Sequence, residues 1–471
     1  MAPKTSGIFV IEHPKEFVKQ DPEKIEDGEK EYSFEDALDF IGFGKIQIII
    51  LLVSGIILMA VINETMGMMI ISIASQCDLN LTAQEKGFLG AVSFIGIMIS
   101  SHLWGYVADT AGRRKLIMYT LFGSNIFSVA SCFTNNYWVF VTIRLLGGIS
   151  ISGPSATLYA YLGEFNTFKY RPVTISWASA FVGVATVYIP GIAWLILPGT
   201  WSIPIYNDLE FRPWRLLLIL YTLPGFIGAL CLYKLPESPK FLLSQGKDDK
   251  AMDILHWIYE NNTVWFNLDY FSGNSGGMGL WYPEIQNRLN SMPNAHMTVC
   301  EVVHLNSNKS QLNDINYFEK TCDDSISSKV YVDSMMLGVF YIVGYVILAL
   351  IINPVGRKII LAAALFGSGF AGLSLHWIND SLAIVLLFCS FLMLAGLCIS
   401  VVNGAVVDLI PTHLRGMAVC ISLMLGRLGS VAGSNIIGNL LEVNCSLTFM
   451  LFSGFITVCA LLTLILPSNK K

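Results

Sequence analysis

Three ionisable side chains stand inside long apolar runs of this chain: Glu64, Arg144 and Arg427. A lone charge at the centre of a bilayer costs roughly 3 kcal/mol or more, so such a group is kept where it has a partner or a use. Glu64, beside Asn63, reads in two ways: as a cavity carboxylate that takes up a proton or a cation, or as a structural group bonded to another helix. Arg144 precedes Gly147, Gly148 and Gly153, which thin its helix for close packing. It can pair across helices, and Glu64 is one acceptor whose charge would offset the desolvation of both. Arg427, between Gly426 and Gly429, can meet an anionic group of a solute or form a structural pair. Asp333 is expected to be solvated at the start of its run, and His102 and His376 to bond neighbouring helices rather than shuttle protons.

A second set of charges repeats. Gly112-Arg113-Arg114, Glu164 and Arg171 are echoed 244 residues later by Gly356-Arg357-Lys358, Asp408 and Arg415. Arg113 to Glu164 and Arg357 to Asp408 are both 51 residues apart, and each acid is followed seven residues later by an arginine. Such spacing in a mostly apolar chain points to duplication of a unit holding several membrane spans. These residues, with Asp109, read as latches between helix ends that form in one state and break in another, rather than as solute ligands.

The elements that carry them follow from composition. The 471 residues are 54% hydrophobic and only 13% charged, with a mean hydropathy of +0.59, which excludes an ordinary soluble protein of two or three domains. A helix needs about 20 apolar residues to cross a hydrocarbon core of about 30 Å. Spans are predicted at about 45–74, 87–109, 115–134, 137–163, 173–198, 214–235, 264–287, 329–352, 358–377, 382–409, 416–441 and 445–466. The seventh, 264–287, is weak or truncated, with Asn267, Asp269 and Asn274 among four glycines, as in a broken helix facing a cavity or a damaged span. Losing it would place Arg357, Lys358 and Arg415 on the opposite side from Arg113, Arg114 and Arg171, so charge parity favours a crossing.

The expected fold is therefore all-α and integral to the membrane: an acidic tail at 1–43, a six-helix half at 44–235, a linker at 236–263, a second six-helix half at 264–466 and a tail at 467–471. No apolar signal stretch opens the sequence, so both termini are expected in the cytosol. The polar segment 288–327 then faces outward. It carries Cys300 and Cys322, candidates for a disulfide, and the sequon Asn308-Lys309-Ser310, a candidate glycosylation site. No Walker-type phosphate loop, zinc-spaced cluster, nucleophile elbow or basic nucleic-acid arm is present. No enzyme, pump, metal or cofactor site is indicated.

The run Gly105-Tyr106-Val107-Ala108-Asp109-Thr110-Ala111-Gly112-Arg113-Arg114-Lys115 resembles the cytosolic loop signature of the major facilitator superfamily. Glu164 with Arg171, the run Pro236-Glu237-Ser238-Pro239-Lys240, and Asp408 through Pro411-Thr412 to Arg415 resemble the signatures of its sugar-porter-like and organic-ion branches. Three further runs look closest to the synaptic vesicle glycoprotein 2-like and vesicle 2-related transporters: Ala37-Leu38-Asp39-Phe40-Ile41-Gly42-Phe43-Gly44, Ser101-His102-Leu103-Trp104-Gly105 and Trp281-Tyr282-Pro283-Glu284. The resemblance implies a twelve-span fold of two six-helix halves in parallel repeat. It implies a secondary transporter that moves a small organic solute by alternating access, with proton or cation coupling in which a span-four arginine such as Arg144 takes part in some branches. It implies a monomer in the plasma membrane or an intracellular vesicle membrane, with lipid and solute as partners and no nucleic acid. It also implies a longer linker and a fuller seventh helix than residues 236–287 supply. A relative of the same fold whose transport has decayed, and which acts by binding regulatory partners, is the competing class.

Overall fold

The computed structural model describes residues 10–13, 16–18, 34–206, 209–262, 326, 328–378, 380–409, 412–443 and 445–465. Before residue 262 the helices are α1 (Phe34–Ile41), α2 (Lys45–Met66), α3 (Met68–Ala74), α4 (Ala83–Ala111), α5 (Arg113–Ser131), α6 (Tyr137–Glu164), α7 (Arg171–Ile196), α8 (Pro213–Tyr233), α9 (Pro239–Ser244) and α10 (Asp248–Asn261). After residue 328 come α11 (Ser328–Val355), α12 (Arg357–Ser374), α13 (Ser381–Leu409), α14 (Thr412–Val443) and α15 (Cys445–Ile465). Two short antiparallel hairpins depart from a purely helical chain: β1 (Val10–His13) with β2 (Glu16–Val18), and β3 (Ile203–Tyr206) with β4 (Leu209–Phe211).

Eight of the described segments are long and apolar enough to cross a bilayer, Lys45–Ala74 counting as one that bends at Gly67. Helix α5 falls short of that apolarity because it opens on Arg113-Arg114-Lys115 and buries Ser124, Asn125 and Ser128. The expected seventh span and the whole of 288–327 lie outside the described residues, and so do Cys300, Cys322 and Asn308.

Local chemistry sets the breaks. Thr82 caps α4 by accepting from Glu85 N, while the Glu85 carboxylate accepts from Thr82 N at 2.8 Å. Asn136 caps α6 through Trp138 N and Val139 N. Between α4 and α5 the chain turns at Gly112 with φ +111°, and between α11 and α12 it turns at Gly356 with φ +87°. Both angles favour glycine, and each glycine hands directly to an arginine that starts the next helix. At this turn the sequence echo is also a structural one.

Helices from the two ends of the chain pack most extensively along two seams. Helix α7 packs on α11 through Gly183 and Gly338. A Cβ on Gly183 would sit 2.9 Å from Ile342 N, and one on Gly338 would sit 2.9 Å from Gly183 O, so the two backbones are in contact. Helix α4 packs on α14, where a Cβ on Gly105 would lie 3.1 Å from Met417 Cα.

Candidate functional site

Glu64, on the last turn of α2, is buried with Arg144 of α6. Arg144 Nη2 lies 2.8 Å from Glu64 Oε1 and donates to the Glu64 carbonyl at 3.0 Å. Arg144 Nη1 donates to Ser128 Oγ of α5 at 2.7 Å, and that hydroxyl donates to Glu64 Oε2. Three helices thus converge on one carboxylate whose charge is matched by a guanidinium. Gly147 leaves the room: a Cβ there would stand 2.9 Å from Glu64 Oε1. Asn63 points elsewhere and donates to the Tyr221 carbonyl of α8 at 3.1 Å, so it ties α2 to α8 rather than joining the cluster. Ser128 is the member of the cluster that sequence reasoning missed. Its only signal was a small polar residue in an apolar helix.

The second constellation lies at the bundle end that holds the Gly112 turn. Arg113 is buried, with Nε 3.0 Å from Glu164 Oε2 and Nη2 3.2 Å from Asp109 Oδ1. The other Asp109 oxygen accepts from Met417 N at 3.2 Å and so joins α4 to the start of α14. Ser238 donates to Glu164 Oε2 at 2.6 Å, while Glu237 Oε1 accepts from Arg114 N at 2.9 Å. Arg171 bonds the carbonyls of Gly163 and Asn166 and reaches Glu35 of α1, which also pairs with Lys240 at 2.5 Å. Burial works against the ionised form of Glu35, but Lys240 and Arg171 outweigh it and hold its carboxyl below the ordinary carboxylate value. Of the echoed set, Gly356 and Arg357 form the second turn, whereas the side chains of Asp408 and Arg415 lie outside the described residues.

Arg427 lies midway along α14, half-buried, with its guanidinium 5.2 Å from the centre of the Phe94 ring of α4. One expectation is corrected. Asp333 is buried at 5% exposure, not solvated, because α11 starts inside the bundle beside Tyr331 and Ser334, which are buried with it. Arg215 is also buried and donates to the carbonyls of Cys132 and Thr134 and to Asn135 Oδ1. Cys77, which the sequence reading did not single out, is disulfide-bonded.

A bundle of membrane-length helices with one ion pair buried in its interior and a charged cluster at one end defines a polytopic membrane protein. The chain belongs to the Major Facilitator Superfamily, whose sequence profile matches residues 53–289. It is 31% identical over 245 residues to synaptic vesicle glycoprotein 2B of Mus musculus, covering 51% of this chain and 35% of that protein. It is also 31% identical over 230 residues to synaptic vesicle glycoprotein 2A of Rattus norvegicus, covering 49% of this chain and 31% of that protein. The match thus spans about a third of these relatives' length. In fold it is similar to the proton:xylose symporter XylE bound to 6-bromo-6-deoxy-D-glucose, with a TM-score of 0.64, 17% identity, and coverage of 90% of this chain and 97% of that one. A partially occluded inward-open form of the E. coli xylose transporter gives 0.61 at 17% identity, covering 90% of this chain and 100% of that one.

Proposed function

We propose that this chain is a secondary transporter that moves a small organic solute by alternating access, with Glu64 as the group that takes up a coupling proton. The observation that carries this reading is the closed cluster of Glu64, Ser128 and Arg144 inside the apolar bundle. A proton added to Glu64 removes the charge that Arg144 neutralises and frees the guanidinium to keep only Ser128 and the Glu64 carbonyl. The tie among α2, α5 and α6 then loses its ion pair and keeps only these hydrogen bonds, which gives protonation a differential effect on two arrangements of the bundle. At the opposite level, Asp109 bridging Arg113 and Met417 N is the gate that closes the cytosolic side.

In this reading the helices at 44–235 and 264–466 are the two rocking halves, the termini are cytosolic, and the protein is a monomer in a plasma or vesicle membrane. Uptake into cells or vesicles at varied external pH tests it, with Glu64→Gln expected to fold but to lose pH-dependent uptake. The likeness to synaptic vesicle glycoproteins supports a second reading, in which the fold serves partner binding. Full-length protein that shows no pH-dependent change in access at either membrane face would favour it.

A further inference from the structure

Helix α5 turns three neighbouring polar side chains into the bundle: Ser124, Asn125 and Ser128, at 1%, 4% and 1% exposure. Ser128 is bonded to Glu64 and Arg144. Among the described residues, however, Ser124 Oγ and Asn125 Nδ2 are buried with no hydrogen-bond partner. Leaving a buried polar atom unbonded is costly, and two such atoms within one turn of helix point to a small ligand that serves both.

The spacing fits a ligand of one heavy atom. Ser124 stands four residues and Asn125 three residues before Ser128, and side chains so spaced are neighbours on a helix, with Cβ atoms about 5–6 Å apart. One oxygen with a hydrogen bond of about 2.8 Å on either side spans that distance. A serine hydroxyl has one proton and two lone pairs. Ser128 Oγ donates to Glu64 Oε2 and accepts from Arg144 Nη1 at 2.7 Å, so among the described residues one lone pair is open. Gly225 of α8 gives the amide its room, since a Cβ there would lie 2.7 Å from Asn125 Nδ2. Thr120, one turn nearer Gly112, instead satisfies itself on the Leu116 carbonyl at 2.7 Å.

We propose that Ser124, Asn125 and Ser128 hold one buried water molecule, which passes the coupling proton to Glu64. The inference rests on the reading of Glu64 above and names the route by which its proton arrives. The water accepts from Asn125 Nδ2 and from the Ser124 hydroxyl and donates to Ser128 Oγ, close to the three hydrogen bonds typical of a buried water. A cation is disfavoured by the N–H donor of Asn125 and an anion by the nearby Glu64 carboxylate, whereas water both donates and accepts. When a proton from solution reaches the water, one water proton moves to Ser128 Oγ and the proton already on Ser128 moves to Glu64 Oε2. The carboxylate becomes a carboxylic acid, while the water and the serine end as they began.

The test uses the full-length purified chain, a proton released by light from a caged acid, and time-resolved infrared absorption of the carboxylic-acid band that Glu64→Gln removes. Ser124→Val and Ser124→Thr have nearly the same shape and differ by one hydroxyl, so comparing them separates the hydrogen bond from packing. The valine variant should slow protonation of Glu64 by about tenfold or more, and the threonine variant should stay within about threefold of wild type. The final extent of protonation at a given pH should change little in either, because Glu64 keeps Ser128 and Arg144. If Ser124→Val fails to fold, Asn125→Leu takes its place and should slow the step alike. Equal rates in the valine and threonine variants overturn the proposal, and so does a slowing matched by an equal change in the final extent, which a merely structural role would give. If the band titrates but the rates are equal, only the relay falls. If no such band titrates in the wild type, the relay and the coupled-transport reading fall together.

Discussion

The ion pair between Glu64 and Arg144 predicts a strongly non-additive pair of mutations. Arg144→Gln leaves the Glu64 carboxylate buried with one donor, the Ser128 hydroxyl. Breaking a buried pair from one side costs about 3–5 kcal/mol, and the upper end is expected here because no other described cation is positioned at the 2.8 Å vacated by Arg144. Glu64→Gln is milder, at about 3 kcal/mol, since Arg144 keeps Ser128 Oγ and the Glu64 carbonyl, which the substitution does not remove. Added, the two would cost about 8 kcal/mol, but the double variant buries no charge and should cost roughly 3 kcal/mol less than that sum. Equilibrium denaturation of the four proteins in mixed micelles measures the cycle. Strict additivity would refute the pairing argument. The double variant should be more stable than the additive sum without regaining pH-dependent uptake, which separates a structural loss from the loss of a proton site.

Gly147→Ala places a methyl 2.9 Å from Glu64 Oε1, so it should destabilise by about 1–3 kcal/mol as overpacking, and calorimetry should find that penalty largely relieved in a Glu64→Ala background. Gly112→Ala combines a φ of +111° with a Cβ only 2.6 Å from Glu237 Oε2, whereas Gly246→Ala has φ +67° and open space. The second variant should show only the left-handed strain of about 1–2 kcal/mol in a thermal melt, and the first should exceed it. Because Glu35 is held below its ordinary value, its pairing with Arg171 and Lys240 contributes fully above pH ~4.3 and is lost as pH falls through the lower folded value. Hydrogen-exchange protection in Phe34–Ile41, corrected for the intrinsic rate at each pH, should therefore be flat from pH 8 to about 5, fall at lower pH, and be lower at neutral pH in Glu35→Gln, with an effect no larger than about 1 kcal/mol because the pair is partly exposed.

What could be seen in the sequence follows the range of each interaction. Helix positions were legible because twenty-residue apolar runs and glycine turns are local features, and Gly112 and Gly356 indeed take up the same turn. Arg144 was recognisable as a group in need of a partner, and Glu64 as one acceptor, since few anions lie deep enough to serve. Which hydroxyl joined them was not legible, because Ser124, Ser128 and Ser131 differ in their facing only once α5 is packed against α2 and α6. Asn262 shows the same limit. It accepts from Ile46 N at 3.0 Å and so caps α2 from the far end of α10, a contact between residues 216 apart in the chain that no local pattern encodes. Asp333 was misplaced because a charge at a helix start reads as solvated unless the neighbouring helices are known.

In the alternating-access reading, the close contact of α7 with α11 is a bearing. Where side chains interlock, two helices can tilt only by exchanging rotamers, and each exchange has its own barrier. Gly183 and Gly338 themselves have no side chain to exchange, and the helices approach so closely there that a Cβ on either would lie within about 3 Å of the facing backbone. Tilting about this point leaves the fulcrum unchanged, and the displacement grows with distance along the lever. A methyl added at either glycine would turn the smooth bearing into a notch, holding the bundle at one angle while leaving every charge in place.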